Sequence, residues 1–320
     1  MSRASLLRLC LLACIWGSSF LFIKLALAGL SPVQIVLARL TAGAAVLLAA
    51  VLLRRQPLPR APVVWGHLAL MGVIANIFPF FLFGWGEQRI TSGLAGVLNG
   101  TTPLFTLVIA LAALPEERWS PARGAGLLLG FAGVLLVVGP WNVDPATSSP
   151  TGQLACLAAA GCYGIGFVYS RRFLTGRGLS PLGLSAGQLS VAALILGLVS
   201  PLVAPDPVRL DWVVVGSVLA LGAFGTGLAY LLYYRLIADA GATSASMVTY
   251  LIPVVAVVLG IGTLGEPVTW NLFAGAATVI LGVALSEGRL GRWGRRPPPR
   301  PTVDAPVAVP RESAPPPSRL

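Results

Sequence analysis

Few residues of this chain carry chemistry, and most of those that do lie inside or beside long apolar runs. The 320 residues include one histidine, His67, and four cysteines without the paired spacing of a zinc site. Enzymes that work inside membranes need clustered histidines or carboxylates for metal or acid–base chemistry. The sequence also lacks the GxxxxGK loop that binds nucleotide phosphates, which excludes ATP-driven transport by this chain alone. We therefore predict no enzyme, no catalytic residue, no metal site and no cofactor.

Three ionisable residues in the apolar runs are candidates for function, because each is costly in lipid. Arg39 lies well inside its run, where it can bind an anionic substrate group or form a structural hydrogen bond. Glu87 ends its run at WGEQR, where it can bind and release protons or pair with Arg89, the simpler expectation. Lys24 stands near the end of the first run, from which its amine reaches the interface.

Neutral polar side chains precede prolines in three of the apolar runs. A proline removes one backbone hydrogen bond and frees a carbonyl about a turn earlier. Bent helices of this kind line cavities, because lipid cannot satisfy the freed groups, whereas helix packing is the alternative role for small polar residues. With aromatic rings as walls, such a cavity suits a small zwitterion. The predicted substrate-binding residues are Trp16, Ser19, Arg39, Asn76, Trp85, Asn99, Thr101, Thr102, Tyr163, Gln188, Tyr230, Tyr234, Thr249 and Tyr250, and the predicted hinges are Pro79, Pro103 and Pro253.

The elements that must position these groups are transmembrane helices. Hydrophobic residues make up 56% of the chain and charged residues only 10%, with a mean hydropathy of +0.84. A soluble domain carries roughly 25% charged residues, so this chain needs lipid as its solvent. Crossing a bilayer takes ~20 apolar residues, and we predict an all-α membrane protein with ten transmembrane helices. The predicted spans are residues 6–28, 33–53, 64–86, 91–113, 122–140, 152–172, 182–203, 211–235, 243–263 and 269–286.

The basic residues predict how these spans are oriented. If both termini are cytoplasmic, only Lys24, Arg39, Arg89 and Arg209 of the 22 lysines and arginines lie outside the cytoplasmic segments, as the positive-inside rule requires. The net charge of +11 does not indicate a nucleic-acid partner, because the arginines form no patch interleaved with exposed aromatic residues. Residues 288–320 are rich in arginine and proline, and we predict a disordered cytoplasmic tail there.

The second half of the chain repeats the first at an offset of 147 to 150 residues. The clearest pair is PLFTLVIALAALPE at 103–116 and PVVAVVLGIGTLGE at 253–266, each running from proline to glutamate. No single pair is convincing, but the constant offset is. In the second span of each half, Arg39 has Gln188 as its counterpart, so an amide replaces the charge.

Each half contains five spans, an odd number, and the second half therefore enters the membrane from the opposite side. We assign the two inverted five-helix repeats to residues 1–143 and 151–287. Inverted repeats are a common design of secondary transporters, with the substrate site between them near the middle of the membrane. Glu116 and Glu266, which end the two matched stretches, stand just ahead of the next helix, whose positive N-terminal end favours a carboxylate.

The chain resembles the EamA-like exporters of the drug/metabolite transporter superfamily over residues 5–287. The resemblance rests on WGSSFLFIK in the first span, on the two proline-to-glutamate stretches, and on the glycine-rich fifth helices GAGLLLGFAGV and FAGAATVILGV. It implies either a substrate–proton or a facilitated exporter of amino acids or other small metabolites, with the lipid bilayer as a partner and protons as a further one in the first case. It fixes neither the substrate nor the oligomeric state.

Other transport functions stay open at this point. A metabolite importer and a drug-efflux permease share the architecture, although a drug exporter usually needs a buried acidic residue for cations. A channel or lipid scramblase is also compatible with an inverted repeat, and saturable counterflow would distinguish a transporter from it. One lysine beside 21 arginines is typical of a GC-rich bacterial genome, so the expected location is a bacterial inner membrane.

Overall fold

The computed structural model describes residues 2–139, 149–174, 178–241, 245–267 and 269–287, so the tail predicted at 288–320 lies outside the described residues. Helices within these ranges match the predicted spans to within five residues, and the largest differences are at the end of α8 and the start of α9. This confirms the all-α membrane fold. The first eight are long and apolar enough to cross a membrane, and the last two are apolar but shorter. They are α1 (Arg3–Ala26), α2 (Pro32–Leu53), α3 (Pro62–Glu87), α4 (Ser92–Ala113), α5 (Pro121–Val138), α6 (Pro150–Phe173), α7 (Pro181–Val203), α8 (Trp212–Ala240), α9 (Val248–Leu264) and α10 (Trp270–Ser286).

Helix starts are set by capping serines followed by proline. Ser120, Ser149 and Ser180 precede α5, α6 and α7, and each side chain accepts a hydrogen bond from a backbone N–H in the first turn. Proline then takes the first helical position, where its missing N–H costs nothing. These local signals are strong, and they explain why the sequence alone locates the helix starts well.

Helices α3 and α8, the third helices of the two repeats, each contain a π-helical segment near the middle. It covers Val73–Ile77 in α3 and Ala220–Leu228 in α8. In α3 the predicted hinge Pro79 follows it and has no N–H to donate to the carbonyl of Ala75, which breaks the α-helical register. The segment in α8 has no proline but is rich in glycine. Such segments widen a helix and are frequent at functional sites.

Helix α4 is broken at Gly100 and Thr101, just before the predicted hinge Pro103. Pro103 has no N–H for the carbonyl of Asn99, and the Thr102 hydroxyl donates to that carbonyl at 2.8 Å instead. The corresponding Pro253 lies inside α9 without breaking it. Its ring faces the break in α4, since a Cβ built on Gly100 would lie 2.9 Å from the Cγ of Pro253. The two proline regions therefore meet between the repeats.

Each main contact between two helices has an equivalent contact between their counterparts in the other repeat. Helix α1 packs against α9, and its counterpart α6 packs against α4, while α2 packs against α8 and its counterpart α7 against α3. The second helices contact each other, as do the fifth helices α5 and α10. This is the packing of two repeats related by a twofold axis, so the repeats interlock as one body.

The pairing of α5 with α10 depends on glycines that let the two backbones touch. A Cβ built on Gly126 would lie 2.6 Å from the carbonyl oxygen of Gly282, which no real side chain tolerates. We expect Gly126→Val to lower the stability of the solubilised protein by ~1–3 kcal/mol or more, as a fall in its thermal unfolding temperature. Gly262→Val is the matched control, because a Cβ there meets nothing within 4 Å; equal losses in both variants would contradict the prediction.

Candidate substrate cavity

A cavity of about 810 Å³ lies between the two repeats, which is a volume that holds a small metabolite. Its walls come mainly from the first four helices of each repeat, with one residue each from α5 and α10 at one end, so it occupies the position predicted for a substrate site. The predicted residues that line it are Trp16, Ser19, Arg39, Asn99, Thr102, Pro103, Tyr163, Gln188, Tyr230, Tyr234 and Thr249.

Many lining residues are counterparts of one another at the repeat offset, which places the cavity on the twofold axis. The pairs are Trp16 and Tyr163, Phe20 and Phe167, Phe80 and Tyr230, Phe83 and Tyr233, and Asn99 and Thr249. In the third helices the pairs differ in polarity, because α3 supplies phenylalanines where α8 supplies tyrosines. One wall therefore carries hydroxyls and the other does not, so an asymmetric ligand has a preferred orientation.

Two hydrogen bonds cross between the repeats at the π segments, and they too are counterparts. Arg39 Nε in α2 donates to Thr226 Oγ1 in α8 at 3.0 Å. Gln188 Nε2 in α7 donates to Asn76 Oδ1 in α3 at 2.5 Å. Gln188 follows Arg39 by 149 residues, and Thr226 follows Asn76 by 150. Each π segment thus presents one polar side chain to the second helix of the opposite repeat, beside the cavity.

Arg39 is a buried cation in the wall of this cavity. Only 7% of the surface of Arg39 is exposed, and its guanidinium carbon lies 3.9 Å from the centre of the Phe80 ring. The hydrogen bond to Thr226 uses Nε, and within the described ranges the two terminal nitrogens form no other hydrogen bond. A guanidinium presented in this way can bind a carboxylate through two parallel hydrogen bonds.

The cavity is closed at one end, termed here the Lys24 end, where α1 and α3 finish and α4 begins. The rings of Phe20 and Phe83 meet edge to face across it, with centroids 5.5 Å apart. One turn further along both helices, the Lys24 amine donates to the backbone carbonyls of Glu87 and Ile90, at 2.8 Å for Ile90. A layer of rings and a layer of charge-assisted hydrogen bonds therefore seal this end.

Glu266 adds a second closure at the Lys24 end. Its carboxylate accepts hydrogen bonds from the N–H groups of Ser92 at 2.6 Å and Gly93 at 2.9 Å, where the positive end of α4 favours an anion. The sequence predicted that Glu266 would lie against the start of α10, the helix that follows it. That prediction is wrong, because Glu266 instead caps the start of α4 in the other repeat. Its counterpart Glu116 is exposed and pairs with Arg171 at 3.5 Å.

Glu87 lies at the same end and is fully buried, with 0% exposure. Neither of its carboxylate oxygens has a hydrogen-bond partner in the part of the chain that the structure describes. The expected pair with Arg89 is not formed, because Arg89 donates to the carbonyl of Trp85 at 2.9 Å and stacks on its ring. A buried carboxylate without donors is costly when ionised, so the proton-binding hypothesis stays in place for this residue.

At the opposite end, termed the Arg171 end, charged side chains line the cavity. They come from the α4–α5 connection, the first turn of α5, the last turn of α6 and the residue after α10, namely Glu117, Arg123, Arg171 and Glu287. Glu117 pairs with Arg171 at 2.6 Å and with Arg123 at 2.9 Å. The hydrogen bond from Arg171, helped by Arg123, holds the pKa of Glu117 below its usual range. Charged side chains that are partly or fully exposed mark this end as the solvated mouth of the cavity.

Comparison with known proteins agrees with this two-repeat construction. The EamA-like transporter family matches the chain twice, over residues 4–139 and 150–287. The chain belongs to the EamA-like transporter family. It is similar to YoaV of Bacillus subtilis strain 168, named as an uncharacterized transporter, with 26% identity over 280 residues that cover 87% of this chain and 94% of that protein. It is also similar to YedA of Escherichia coli K12, named as an uncharacterized inner membrane transporter, with 28% identity over 279 residues, or 85% of this chain and 86% of YedA.

A solved crystal structure shares the fold of this EamA-like transporter, with a TM-score of 0.61 and 23% identity over 86% of this chain and 98% of that one. The family and its relatives are transporters and not enzymes. This chain is accordingly a transporter that spans the membrane several times, with the lipid bilayer and a small molecule as its partners.

The remaining predicted residues of this EamA-like transporter lie outside the cavity lining; they are Asn76, Trp85, Glu87, Thr101, Tyr250, Pro79 and Pro253. Asn76 lies directly behind the cavity wall, where its side chain accepts a hydrogen bond from the lining residue Gln188. The Thr101 hydroxyl donates to the carbonyl of Leu98 at 2.6 Å within its own helix. The Tyr250 hydroxyl donates to Glu287 at 2.8 Å, near the Arg171 end.

Several lining residues escaped prediction from the sequence: Phe80, Phe83, Ser185, Thr226 and Tyr233. The repeat offset would have found two of them, since Phe80 is the counterpart of Tyr230 and Thr226 that of Asn76. The Tyr233 ring packs against Trp16 with centroids 5.4 Å apart, and Ser185 is hydrogen-bonded to the Tyr234 hydroxyl. Only the three-dimensional structure supplies these last two contacts.

Proposed function

We propose that this transporter exports a small zwitterionic metabolite, an amino acid or a close relative, by alternating access between its two repeats. The observation that carries the proposal is Arg39, whose terminal nitrogens are available beside the cavity to bind a carboxylate. The rings of Trp16 and Tyr163 on opposite walls favour an ammonium group. The apolar rings of α3 would hold the side chain of the metabolite.

The proposal takes the Arg171 end as cytoplasmic, because the arginine-rich connections and both termini then lie inside, in a bacterial inner membrane. In that orientation the cavity is open to the cytoplasm and sealed from the outside by the Phe20–Phe83 pair and Lys24. The transporter would load from the cytoplasm in this state. Export as the net direction rests on the resemblance of the sequence to exporters.

Spent medium from bacteria that express the chain tests the proposal. We expect one class of zwitterionic metabolite to accumulate outside, and Asn99→Ala combined with Thr102→Ala to reduce the accumulation about tenfold, because both lining groups lose hydrogen bonds. The measurement is mass spectrometry of the medium at equal membrane abundance.

The matched control is Thr41→Ala combined with Thr263→Ala, since those exposed hydroxyls bond only to carbonyls of their own helices. Accumulation in proteoliposomes by counterflow would separate a transporter from a channel or scramblase. A medium that stays unchanged would contradict constitutive export, and favour an importer or a drug-efflux permease.

A further inference from the structure

We propose that Lys24 and Arg171 are alternating latches for the two ends of the cavity. In the state described here Lys24 holds the Lys24 end closed. In the opposite state, Arg171 would bind the backbone carbonyls of Ile237 and Ala240 at the end of α8 and hold the Arg171 end closed. This inference rests on the proposed alternating access and names the residues that select each state.

The first latch is visible in the structure. The Lys24 amine joins α1 to the carbonyl of Glu87, the last residue of α3, and to the carbonyl of Ile90 in the connection that follows. Carbonyls at the C-terminal end of a helix lack partners within the helix and carry partial negative charge, so they attract a cation. The contact forms only when the ends of α1 and α3 are close, which is the closed condition of this end.

The repeat places an equivalent set of groups at the other end. Arg171 follows Lys24 by 147 residues in the first helix of the second repeat. In the third helices the offset is 150, as for Gly72 and Gly222. At this offset the counterpart of Glu87 is Ile237, and the counterpart of Ile90 is Ala240. Ala240 is the last residue of α8, so both carbonyls lie at the negative end of that helix, which attracts a cation. The carbonyl of Ile237 accepts the N–H of Gly241 at 2.8 Å in the present state, and its second lone pair is the one that Arg171 would use.

In the present state the second repeat lacks this contact. Arg171, whose side chain is 51% exposed, instead pairs with Glu117 and Glu116, which directly follow α4. Helix α1 contacts the second half of α3, whereas α6 and the second half of α8 have no comparable packing among the described residues. The two repeats therefore differ in the contact that closes one end, and exchanging their conformations exchanges the latches.

The energetics allow this exchange. Ion pairs between exposed side chains contribute little, because water solvates both charges well. The pair with Glu116 is of this kind, since both side chains are more than half exposed, and Glu117 keeps its pair with Arg123 at 2.9 Å when Arg171 leaves. Hydrogen bonds from a charged donor to less exposed carbonyls are among the stronger ones. Loss of the Arg171 side chain is thus expected to weaken the opposite state more than the present one.

Accessibility of one cysteine in the cavity tests the latches without any transported solute. Ser19→Cys is introduced into the full chain after its four native cysteines are replaced, and a membrane-impermeant maleimide is applied to intact cells and to inside-out vesicles. We expect Lys24→Gln to raise labelling from the Lys24 face about tenfold, since the shorter, neutral amide loses the two charge-assisted hydrogen bonds that only the closed state makes. Lys24→Arg, which keeps the donors, should stay near the parent value.

Arg171→Gln provides an independent variant. Alone it should lower labelling from the Lys24 face, and combined with Lys24→Gln it should bring labelling back toward the parent value. Arg172→Gln is the matched control, because Arg172 donates to the carbonyl of Ala113 at 3.1 Å and does not line the cavity.

Unchanged labelling in Lys24→Gln, or an Arg171→Gln variant that behaves like Arg172→Gln or raises labelling, would overturn the proposal. Variants are compared only at equal membrane abundance and with a monodisperse solubilised profile. Labelling that changes as expected in a chain that exports nothing would support the latches and refute the export function instead.

Discussion

Replacing Arg39 with glutamine is expected to weaken binding of a carboxylate substrate by about 100-fold. A buried, hydrogen-bonded charge pair is worth ~2–5 kcal/mol when one partner is removed, and 1.4 kcal/mol corresponds to about tenfold. The measurement is the rise in thermal unfolding temperature of the solubilised protein when each of the common amino acids is added at a fixed concentration. The wild-type chain should be stabilised by its substrate but not by the amide of the same compound, and Arg39→Gln by neither.

The inverted repeat supplies an unusually direct control for this result. Arg39→Gln makes α2 equal to α7 at the matched position, where Gln188 is held by Asn76. Adding Gln188→Arg to the same chain returns the positive charge on the other side of the twofold axis, and we expect it to restore part of the stabilisation. Arg39→Lys keeps the charge but loses the planar fork, so its effect should lie between those of wild type and Arg39→Gln.

Two results would contradict the role of Arg39 in binding. One is an Arg39→Gln variant that is still stabilised by the same compounds as the wild type. The other is a wild-type chain that the amides stabilise as well as the acids do. Either result would leave Arg39 as a structural brace to Thr226, a role that its hydrogen bond at 3.0 Å already supports.

Helices were predictable from the sequence because their signals are local. Apolar length fixes a span, and a capping serine with a following proline fixes its start, as at Ser180. The repeat was predictable because the offset is constant, and that spacing alone pairs Arg39 with Gln188. The three-dimensional arrangement explains why the pair matters, since each member reaches a π segment of the other repeat.

Contacts between distant helices were not predictable in this way. Glu266 was expected beside the next helix, but its partners Ser92 and Gly93 are more than 170 residues away along the chain. Glu87 was expected to pair with Arg89, which prefers the nearby Trp85 ring and carbonyl. In both cases the sequence indicated the chemistry of the carboxylate, while the fold determined which donors were within reach.

Apolar cavity residues carry even less signal in a membrane protein. Phe80 and Phe83 stand in a run where every neighbour is apolar, so nothing local distinguishes a ring facing the cavity from a ring facing lipid. Their tyrosine counterparts in α8 were easier to notice for their hydroxyls. The π segment in α8 has no proline in or beside it that would indicate a bend. For this reason Asn76, which precedes Pro79, was predicted from the sequence, whereas its counterpart Thr226 was not.

Glu87→Gln is expected to remove the pH dependence of closure at the Lys24 end. The titratable and charged groups that face this carboxylate are Lys24 on α1, Arg39 on α2, Cys156 on α6 and Glu266 after α9. Lys24 nevertheless binds backbone carbonyls, and the carboxylate oxygens have no hydrogen-bond donor among the described residues. Burying the carboxylate is therefore easier with a proton on it, so a fall in pH should favour the closed end.

Labelling of Ser19→Cys from the Lys24 face measures this effect. In the wild-type background we expect labelling to rise severalfold as the pH increases from about 5 to 8, and in Glu87→Gln to stay low throughout, because the amide cannot ionise. Glu116→Gln is the matched control, since Glu116 is exposed at the opposite end, and it should keep the wild-type profile. A Glu87→Gln variant with the wild-type profile would refute proton binding at Glu87. With the Lys24 end facing outward, proton binding at Glu87 would make acid outside the cell speed the return of the empty transporter to the state that loads from the cytoplasm.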